Sequence, residues 1–529
     1  MLIFASHLTK QLVLMSVFSC LCAINYAQDR SLFKTFIGEL NTSQLELVNN
    51  IESLHSTKRT RIATIQKSVF GRNEIVANLF ADHNPRFQPG DIGIVSSNYG
   101  SWTGVSQDDL GSAAVIINGD RISAHFTSLA GSFEIIPLDT KGTHLIIEHD
   151  MSEYGTCGNS DEAPRIKDDI EDSTEPIFQI EKGFPQRMPG ASECRIRLLV
   201  AYTPDAQANT LATYNRTMIE HIELAILQMN QGYANSLAEQ RVELAYLYKT
   251  TDVETGDPTN DLNDLRDTAD GKWDEIHELR DLHNADMVAL ITDGNYEGLC
   301  GKAYGFDYEL ENNMFQITEY NCAVSNFTLA HEFGHLQGCR HNVDPNDTPF
   351  PFGHGFSQGG VFQTIMAVCC GGVKVNYWSN PYVFYPGVGS MGTLNFNYNA
   401  SALNISDSTV AHHRLTPPDI DSGVMLGDDH LVNGTTPGLL IATDTTMNGG
   451  CLILQSEVKV RLAAGFHSYD GSHGNFRIAS GCAESSELIS VANNTSLQRD
   501  SPPVAYSANN RDQSSQMPGT SALTRDKRK

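Results

Sequence analysis

The chain has 529 residues, enough for several domains and at least one large core. Acidic residues outnumber basic ones 63 to 36, and the formal net charge is −27. That balance argues against nucleic acid or an anionic membrane as the main partner and suits a protein that works in water.

Residues 1–27 read as a secretory signal, with His7 and Lys10 ahead of an apolar run from Leu12 to Ile24 and a small residue, Ala27, at the end. The run is too short to span a bilayer comfortably, and no later stretch is long and apolar enough to do so. The expected localisation is therefore secreted, in an oxidising compartment. Residues 28 to about 150 open with a polar helical stretch and turn to β patterning, with strands expected at Glu74–Phe80 and Thr143–His149. Nothing there has catalytic spacing. Cys157 follows, alone, in Tyr154-Gly155-Thr156-Cys157-Gly158. A thiolate is a soft, strong ligand for zinc, which gives this residue a second reading beside that of an incidental cysteine. Residues 158–192 carry acidic runs and prolines without periodicity, which is linker composition.

From Cys194 the pattern is globular. A buried-type strand is expected at Ile196–Tyr202, then one long amphipathic helix over Asp205–Ala234. An alternating strand at Val242–Tyr248, a helix within Asp261–His283 and a strand at Asp286–Thr292 follow. This order implies an α/β (α+β) domain, a mixed sheet with helices packed on it. Cys194, Cys300, Cys322, Cys339, Cys369, Cys370, Cys451 and Cys482 are an even set, which in an exported protein suggests disulfides.

The densest chemistry lies in His331-Glu332-Phe333-Gly334-His335-Leu336-Gln337-Gly338-Cys339-Arg340-His341. On a helix expected to start near Ser325 or Asn326 and run to Gly338, His331 and His335 share a face and reach one metal ion. Glu332 leans over the same site without being a ligand. Gly338 can take a left-handed backbone and turn the chain so that His341 supplies a third nitrogen. Three protein ligands leave a fourth position on a tetrahedral zinc, which marks a catalytic site. Zinc would acidify water there, and Glu332 would accept its proton. Met366, in Thr364-Ile365-Met366-Ala367, lies 25 positions after His341 and by itself reads as core filler. His354, His412 and His413 lack ligand spacing. After a Pro-Pro-Asp break at 417–419, residues 437–486 form a small β module that Cys451 and Cys482 could staple. Residues 487–529 are Ser-, Asn- and Gln-rich and read as a disordered tail.

The extended histidine motif followed by Met366 resembles the metzincin zinc metalloproteases. The preceding strand and helix order resembles their adamalysin/reprolysin-like branch, and Tyr377-Trp378-Ser379-Asn380-Pro381 resembles the step after the methionine turn in bacterial reprolysin-like proteases. The resemblance covers about Cys194 to Pro418. Asn342 stands where adamalysin-like enzymes usually carry Asp. Val368 stands where astacins and serralysins place a tyrosine that approaches the metal, so those two branches are excluded. The resemblance implies one catalytic Zn2+ on His331, His335 and His341, Glu332 as general base, and Met366 as the floor under the histidines. It also implies an edge strand at Met314–Thr318 to which an extended peptide adds and a pocket wall at Tyr377–Pro381. Cys300 and Cys322 bracket that strand, and of the 105 pairings open to eight cysteines a bridge between these two is the one guessed.

The domains expected are a signal peptide (1–27), a β-rich propeptide with acidic linker (28–187), a metzincin catalytic domain (188–418), the β module (437–486) and the tail. Cys157 would be a cysteine switch, and Arg187 a place for activating cleavage. The function expected is a secreted zinc metalloendopeptidase made as a zymogen and acting on protein or peptide substrates, with no nucleic acid partner and no membrane contact beyond the signal. The alternative is a catalytically inactive binding or adhesion protein on the same scaffold, against which the intact Glu332 and three histidines count. Oligomeric state is not set by the sequence.

Overall fold

The structure is a computed structural model that describes residues 30–90, 100–106, 108–158, 195–294, 296, 298–344, 349–385, 387 and 389–414, with the backbone of strands between 425 and 490. The signal segment, the linker from residue 159 with Arg187 and Cys194, Cys482 and everything beyond residue 490 lie outside the described residues.

Among the described residues, the segment from Phe33 to His149 forms one α-helix on a nine-stranded antiparallel sheet. Helix α1 (Thr42–Glu52) starts in a capping box between Asn41 and Gln44. The strands are β1 (Phe33–Thr35), β2 (Thr57–Ile65), β3 (Ile75–Val76), β4 (Arg86–Pro89), β5 (Gly100–Ser106), β6 (Ser112–Asn118), β7 (Arg121–Ser128), β8 (Gly131–Pro137) and β9 (Thr143–His149). They run in the order β1-β2-β9-β8-β7-β6-β5-β4-β3. The strand expected at Glu74–Phe80 shrinks to Ile75–Val76, because Asn78 uses its amide on both the N–H and the carbonyl of Phe33 in place of a ladder.

Strand β6 is buried on both faces, and its period of two divides them. Ala113 and Val115 face the sheet's own core with Phe87, Phe126 and Phe133. Ala114 and Ile116 face the other way, into the core of the following domain, with Ile222, Ile226 and Met229.

That domain is built on a six-stranded sheet. Its elements are β10 (Thr156–Cys157), β11 (Arg195–Tyr202), α2 (Pro204–Tyr214), α3 (Met218–Asn235), β12 (Arg241–Lys249), α4 (Pro258–Arg266), α5 (Glu275–Leu282), β13 (Met287–Thr292), β14 (Leu299–Ala303), β15 (Phe315–Glu319) and α6 (Thr328–Leu336). The order is β10-β14-β15-β13-β11-β12. Strands β12, β11, β13 and β15 are parallel, whereas β14 is antiparallel to β15, so the sheet is mixed.

The single helix expected over Asp205–Ala234 is two helices. Asn215 adopts a left-handed backbone with φ 47° and ends α2, and Thr217 with Glu220 opens α3 in a fresh capping box. The helix expected within Asp261–His283 is likewise divided into α4 and α5.

Helix α3 is buried on nearly every side, polar positions included, because the N-terminal sheet covers its outer face. Gln228 Nε2 donates to His125 Nδ1, Gln231 Nε2 to the Gly104 carbonyl, and Asn118 Nδ2 to Glu220 Oε1. Glu134 of β8 is fully buried beside Arg216, with Nη2 and Oε1 2.7 Å apart as an ion pair, and accepts hydrogen bonds from Ser325 Oγ and His149 Nε2. Burial alone would raise the Glu134 carboxyl, yet Arg216 and His149 hold it well below the usual carboxylate range.

Beyond α6 the chain is irregular, with β16 (Ser357–Gln358), β17 (Phe362–Gln363), β18 (Val373–Lys374), β19 (Asn380–Tyr385), β20 (Gly389–Met391) and α7 (Asn399–Val410). Further on, Leu431–Thr436, Cys451–Ser456 and His473–Ile478 stack in parallel about 20 residues apart. Leu439–Ala442 pairs with Lys459–Leu462 in the same way. This is the repeat of a coiled β stack, which the alternation of single residues did not disclose. Glu487–Ser490 joins His473–Ile478 as an antiparallel strand, so ordered backbone extends past 486 into the expected tail. No helix among the described residues is long and apolar enough to cross a membrane.

Candidate active site

Helix α6 carries His331, Glu332 and His335, all buried. It begins at Thr328 after Phe327 in a left-handed conformation, and not at a Ser325 or Asn326 cap. Ser325 spends its hydroxyl on Glu134, and Asn326 Nδ2 reaches Thr328 Oγ1. The helix ends at Leu336, and Gly338 at φ 85° turns the chain back so that His341 faces the two helical imidazoles.

The three Nε2 atoms converge. His341 Nε2 lies 3.0 Å from Nε2 of His331 and 3.0 Å from that of His335. Two outer contacts decide what this proximity means. His331 Nδ1 donates to the Ile365 carbonyl and His335 Nδ1 to the Cys339 carbonyl, each at 2.8 Å. Each ring's proton is thereby placed on Nδ1, and its Nε2 keeps a bare lone pair turned to the centre. Lone pairs crowded in this way repel unless a cation lies between them. Two nitrogens on one tetrahedral zinc at about 2.05 Å sit roughly 3.3 Å apart, close to the spacing here. The residues present fit such an ion. Burial, reinforced by their mutual proximity, holds His331 and His335 well below the ordinary imidazole value, and burial holds His341 down to about 4. All three are therefore neutral at pH 7, as ligands must be.

Cys157 completes the group. Its Sγ is 3.3 Å from His335 Nε2 and 3.6 Å from Glu332 Oε2, and the ligand atoms of Cys157, His331, His335 and His341 lie within 4.8 Å of one another. The thiol is carried there by β10, which pairs in parallel with β14 and is held by Thr156 N–H to the Gly298 carbonyl and Gly158 N–H to the Gly301 carbonyl. The edge of the domain's own sheet is thus β14. The strand expected there, Met314–Thr318, forms as β15 and is internal between β14 and β13. Burial pushes the Glu332 carboxyl up to about 8, a value from which a carboxylate holds and passes on a proton near neutrality.

Met366 is fully buried below the helix. A Cβ on Gly334 would meet Trp378 Cζ3 at 2.6 Å and Met366 Sδ at 2.8 Å, so only glycine lets the Met366 turn and Trp378 rise this close. Gly334→Ala is expected to destabilise the fold by about 1–3 kcal/mol, read from urea unfolding. The expected Cys300–Cys322 bridge is present, and Cys369 is bonded to Cys370. The structure leaves His354, His412 and His413 away from the cluster: His354 stacks on Phe396, and the others bond to the Ser408 and Tyr308 carbonyls.

Two contributors, Phe306 and Lys374, escaped the sequence reading, and a third, Asn342, was noted there without a role. Asn342 accepts from Val368 N–H and donates to Cys369 Sγ, tying the Met366 turn to the third histidine. Phe306 sets its ring edge-on to His335 at 5.1 Å. Lys374, in β18, lines a cavity of about 340 Å3 together with Cys157, His331 and Glu332. Its one signal was a lone cation eight positions after Met366.

A mixed sheet, a helix bearing two imidazoles and a carboxylate, and a returning third imidazole define the class of metal-dependent peptidases. The profile described as "Metallo-peptidase family M12B Reprolysin-like" matches residues 219–342. The chain is 31% identical over 312 residues to a protein of Xanthomonas campestris pv. campestris called "Peptidyl-Asp metalloendopeptidase", covering 58% of this chain and 71% of that one. It is 32% identical over 324 residues to a protein of the same name from Stenotrophomonas maltophilia, covering 59% and 73%. A third protein so named, from Pseudomonas fragi, is 29% identical over 30% of this chain and 85% of its own length. The chain belongs to the reprolysin-like metallopeptidases, and is a metalloendopeptidase of a family that works with a metal, generally zinc.

Proposed function

We propose that this chain is a secreted zinc endopeptidase made as a zymogen, with His331, His335 and His341 holding one zinc ion and Glu332 acting as general base. The observation that carries this reading is the convergence of three imidazole Nε2 atoms, that of His341 lying 3.0 Å from each of the other two, beside a buried carboxyl. The alternative of an inactive binding protein finds no support in a site whose every polar group is in place.

When bound, zinc supplies Lewis acidity that polarises the scissile carbonyl and makes water easier to deprotonate. The chain's own groups do the rest. Glu332 takes the proton of the attacking water and returns it to the departing amide nitrogen, so the products are a carboxylate and an amine. The Ile365 and Cys339 carbonyls keep both helical imidazoles in the binding tautomer throughout. An extended substrate would add to β14, the edge that β10 occupies here. The name shared by the relatives suggests a preference for bonds next to aspartate. Hydrolysis of a peptide library by the processed enzyme, abolished by a chelator and restored by zinc, would test the whole reading. Cleavage that survives chelation would overturn it.

Residues 28–187 serve in this reading as propeptide and linker, and Cys157 as the thiolate in the fourth zinc position. Cys157→Ser should make the full-length chain active before any cleavage, since a serine hydroxyl binds zinc poorly. X-ray absorption on the zinc-loaded zymogen should find a sulfur near 2.3 Å that the variant lacks. Its absence in the wild type would leave steric cover by β10 as the block.

A further inference from the structure

We infer that Lys374 is the group that receives the acidic side chain of the substrate beside the scissile bond. The inference rests on the aspartate preference proposed above and names the residue responsible for it.

Four observations place Lys374 in this role. First, it lines the same cavity as His331 and Glu332, so whatever it binds lies next to the reacting carbonyl. Second, its ammonium has no hydrogen bond or ion pair among the described residues, although the side chain is only partly exposed. Glu332, which lines the same cavity, makes no ion pair with it: Oε2 faces the Cys157 thiol, and Oε1 has no hydrogen-bond partner among the described residues. Glu332 and Cys157 favour its charged form only from a distance. A cation drawn out of water without a hydrogen-bonded counterion carries a desolvation cost that an incoming carboxylate relieves. The same burial pushes the Lys374 ammonium down to about 8.

Third, the other basic side chains near the cleft are engaged. Arg340 pairs with Asp344 and stacks over Phe306, and Lys302 donates to Thr259. Fourth, the backbone fixes where Lys374 stands. Strand β18 pairs in parallel with β17, setting Lys374 against Gln363, with Val373 N–H donating to the Val361 carbonyl and Val375 N–H to the Gln363 carbonyl. Around Lys374 the cavity is lined by Gln363, Ala367, Val368, Gly371 and Gly372, none of them charged, so the lysine is the cationic group of that wall. A carboxylate is what such a cationic wall accommodates. A long apolar side chain would have to displace the ammonium or bury it.

The test is kcat/KM of the enzyme processed from the full chain on matched peptides that carry Asp, Asn, Leu or Lys at the position beside the cleaved bond. Lys374→Met keeps the length and removes the charge. It should reduce the preference for Asp over Asn by on the order of 100-fold while changing the Leu peptide only a few-fold. Lys374→Arg should retain the preference, and Lys374→Glu should favour the Lys peptide. An unchanged Asp-to-Asn ratio in Lys374→Met, or an equal loss on every peptide, would overturn the assignment. Should Lys374→Met fail to fold, the Arg and Glu variants decide the same question. A wild-type enzyme that cleaves well without preferring Asp would overturn both the specificity reading and this one, and leave the zinc peptidase reading intact.

Discussion

Glu332→Gln is expected to lower kcat by about 10²–10⁴-fold while leaving metal content and fold unchanged. The side chain is fully buried, and its Oε1 has no hydrogen-bond partner among the described residues, so the amide replaces the carboxylate without breaking an ion pair. What it loses is proton affinity. The wild-type carboxyl, raised by burial, accepts a proton near neutral pH, whereas an amide does not. Steady-state kinetics with metal analysis on the same sample makes the measurement. A kcat near that of the wild type would move the base to another residue.

His335→Ala should remove the metal itself. His335 Nε2 is 3.0 Å from His341 Nε2 and 3.3 Å from Cys157 Sγ, so it belongs to both the open and the thiol-blocked arrangements. Loss of a supporting hydrogen bond weakens metal binding by roughly 10–100-fold, and loss of a ligand should exceed that. Activity should fall to background. A readout independent of turnover is available: a chelator should lower the melting temperature of the wild type and leave that of the variant unmoved, because only the wild type has binding energy to lose. Metal content of about one ion per chain in the variant would remove His335 from the ligand set.

The cluster of His331, Glu332, His335 and His341 was legible because it is local. Eleven consecutive residues contain all four, and helical geometry with one left-handed glycine brings them together without long-range information. Strands β11 and β13 were legible for a similar reason, being uninterrupted apolar runs. The misplaced features are those that only tertiary contacts decide. The break at Asn215 is an exception, marked locally by the Thr217-x-x-Glu220 capping spacing, but the apolar period that runs on across it hid the mark. The position of β15 inside the sheet depends on where β14 and β10 dock, and pairing across chain distance leaves no trace in either strand's own pattern. Lys374 reads as an ordinary exposed lysine until the fold turns it toward the cavity. A β module was expected over 437–486, but the parallel stacking of its strands was missed, because the recurrence lies in backbone spacing with little identity between successive turns.

Helix α3 has an outer face bearing Glu220, Gln228 and Gln231, each matched by a group on β5, β6 or β7. That match has a direction in time. The chain is made from its N-terminus, so β9 ends at His149 before the ribosome reaches Met218, some 70 residues later. At about 5–20 residues per second that interval is on the order of 3–14 s, against microseconds for a hairpin to close. The antiparallel sheet can therefore be standing when the first turn of α3 emerges. The helix then meets a surface that already presents acceptors and donors at its own spacing, and the metal-binding segment beginning at Thr328 is synthesised last of the three.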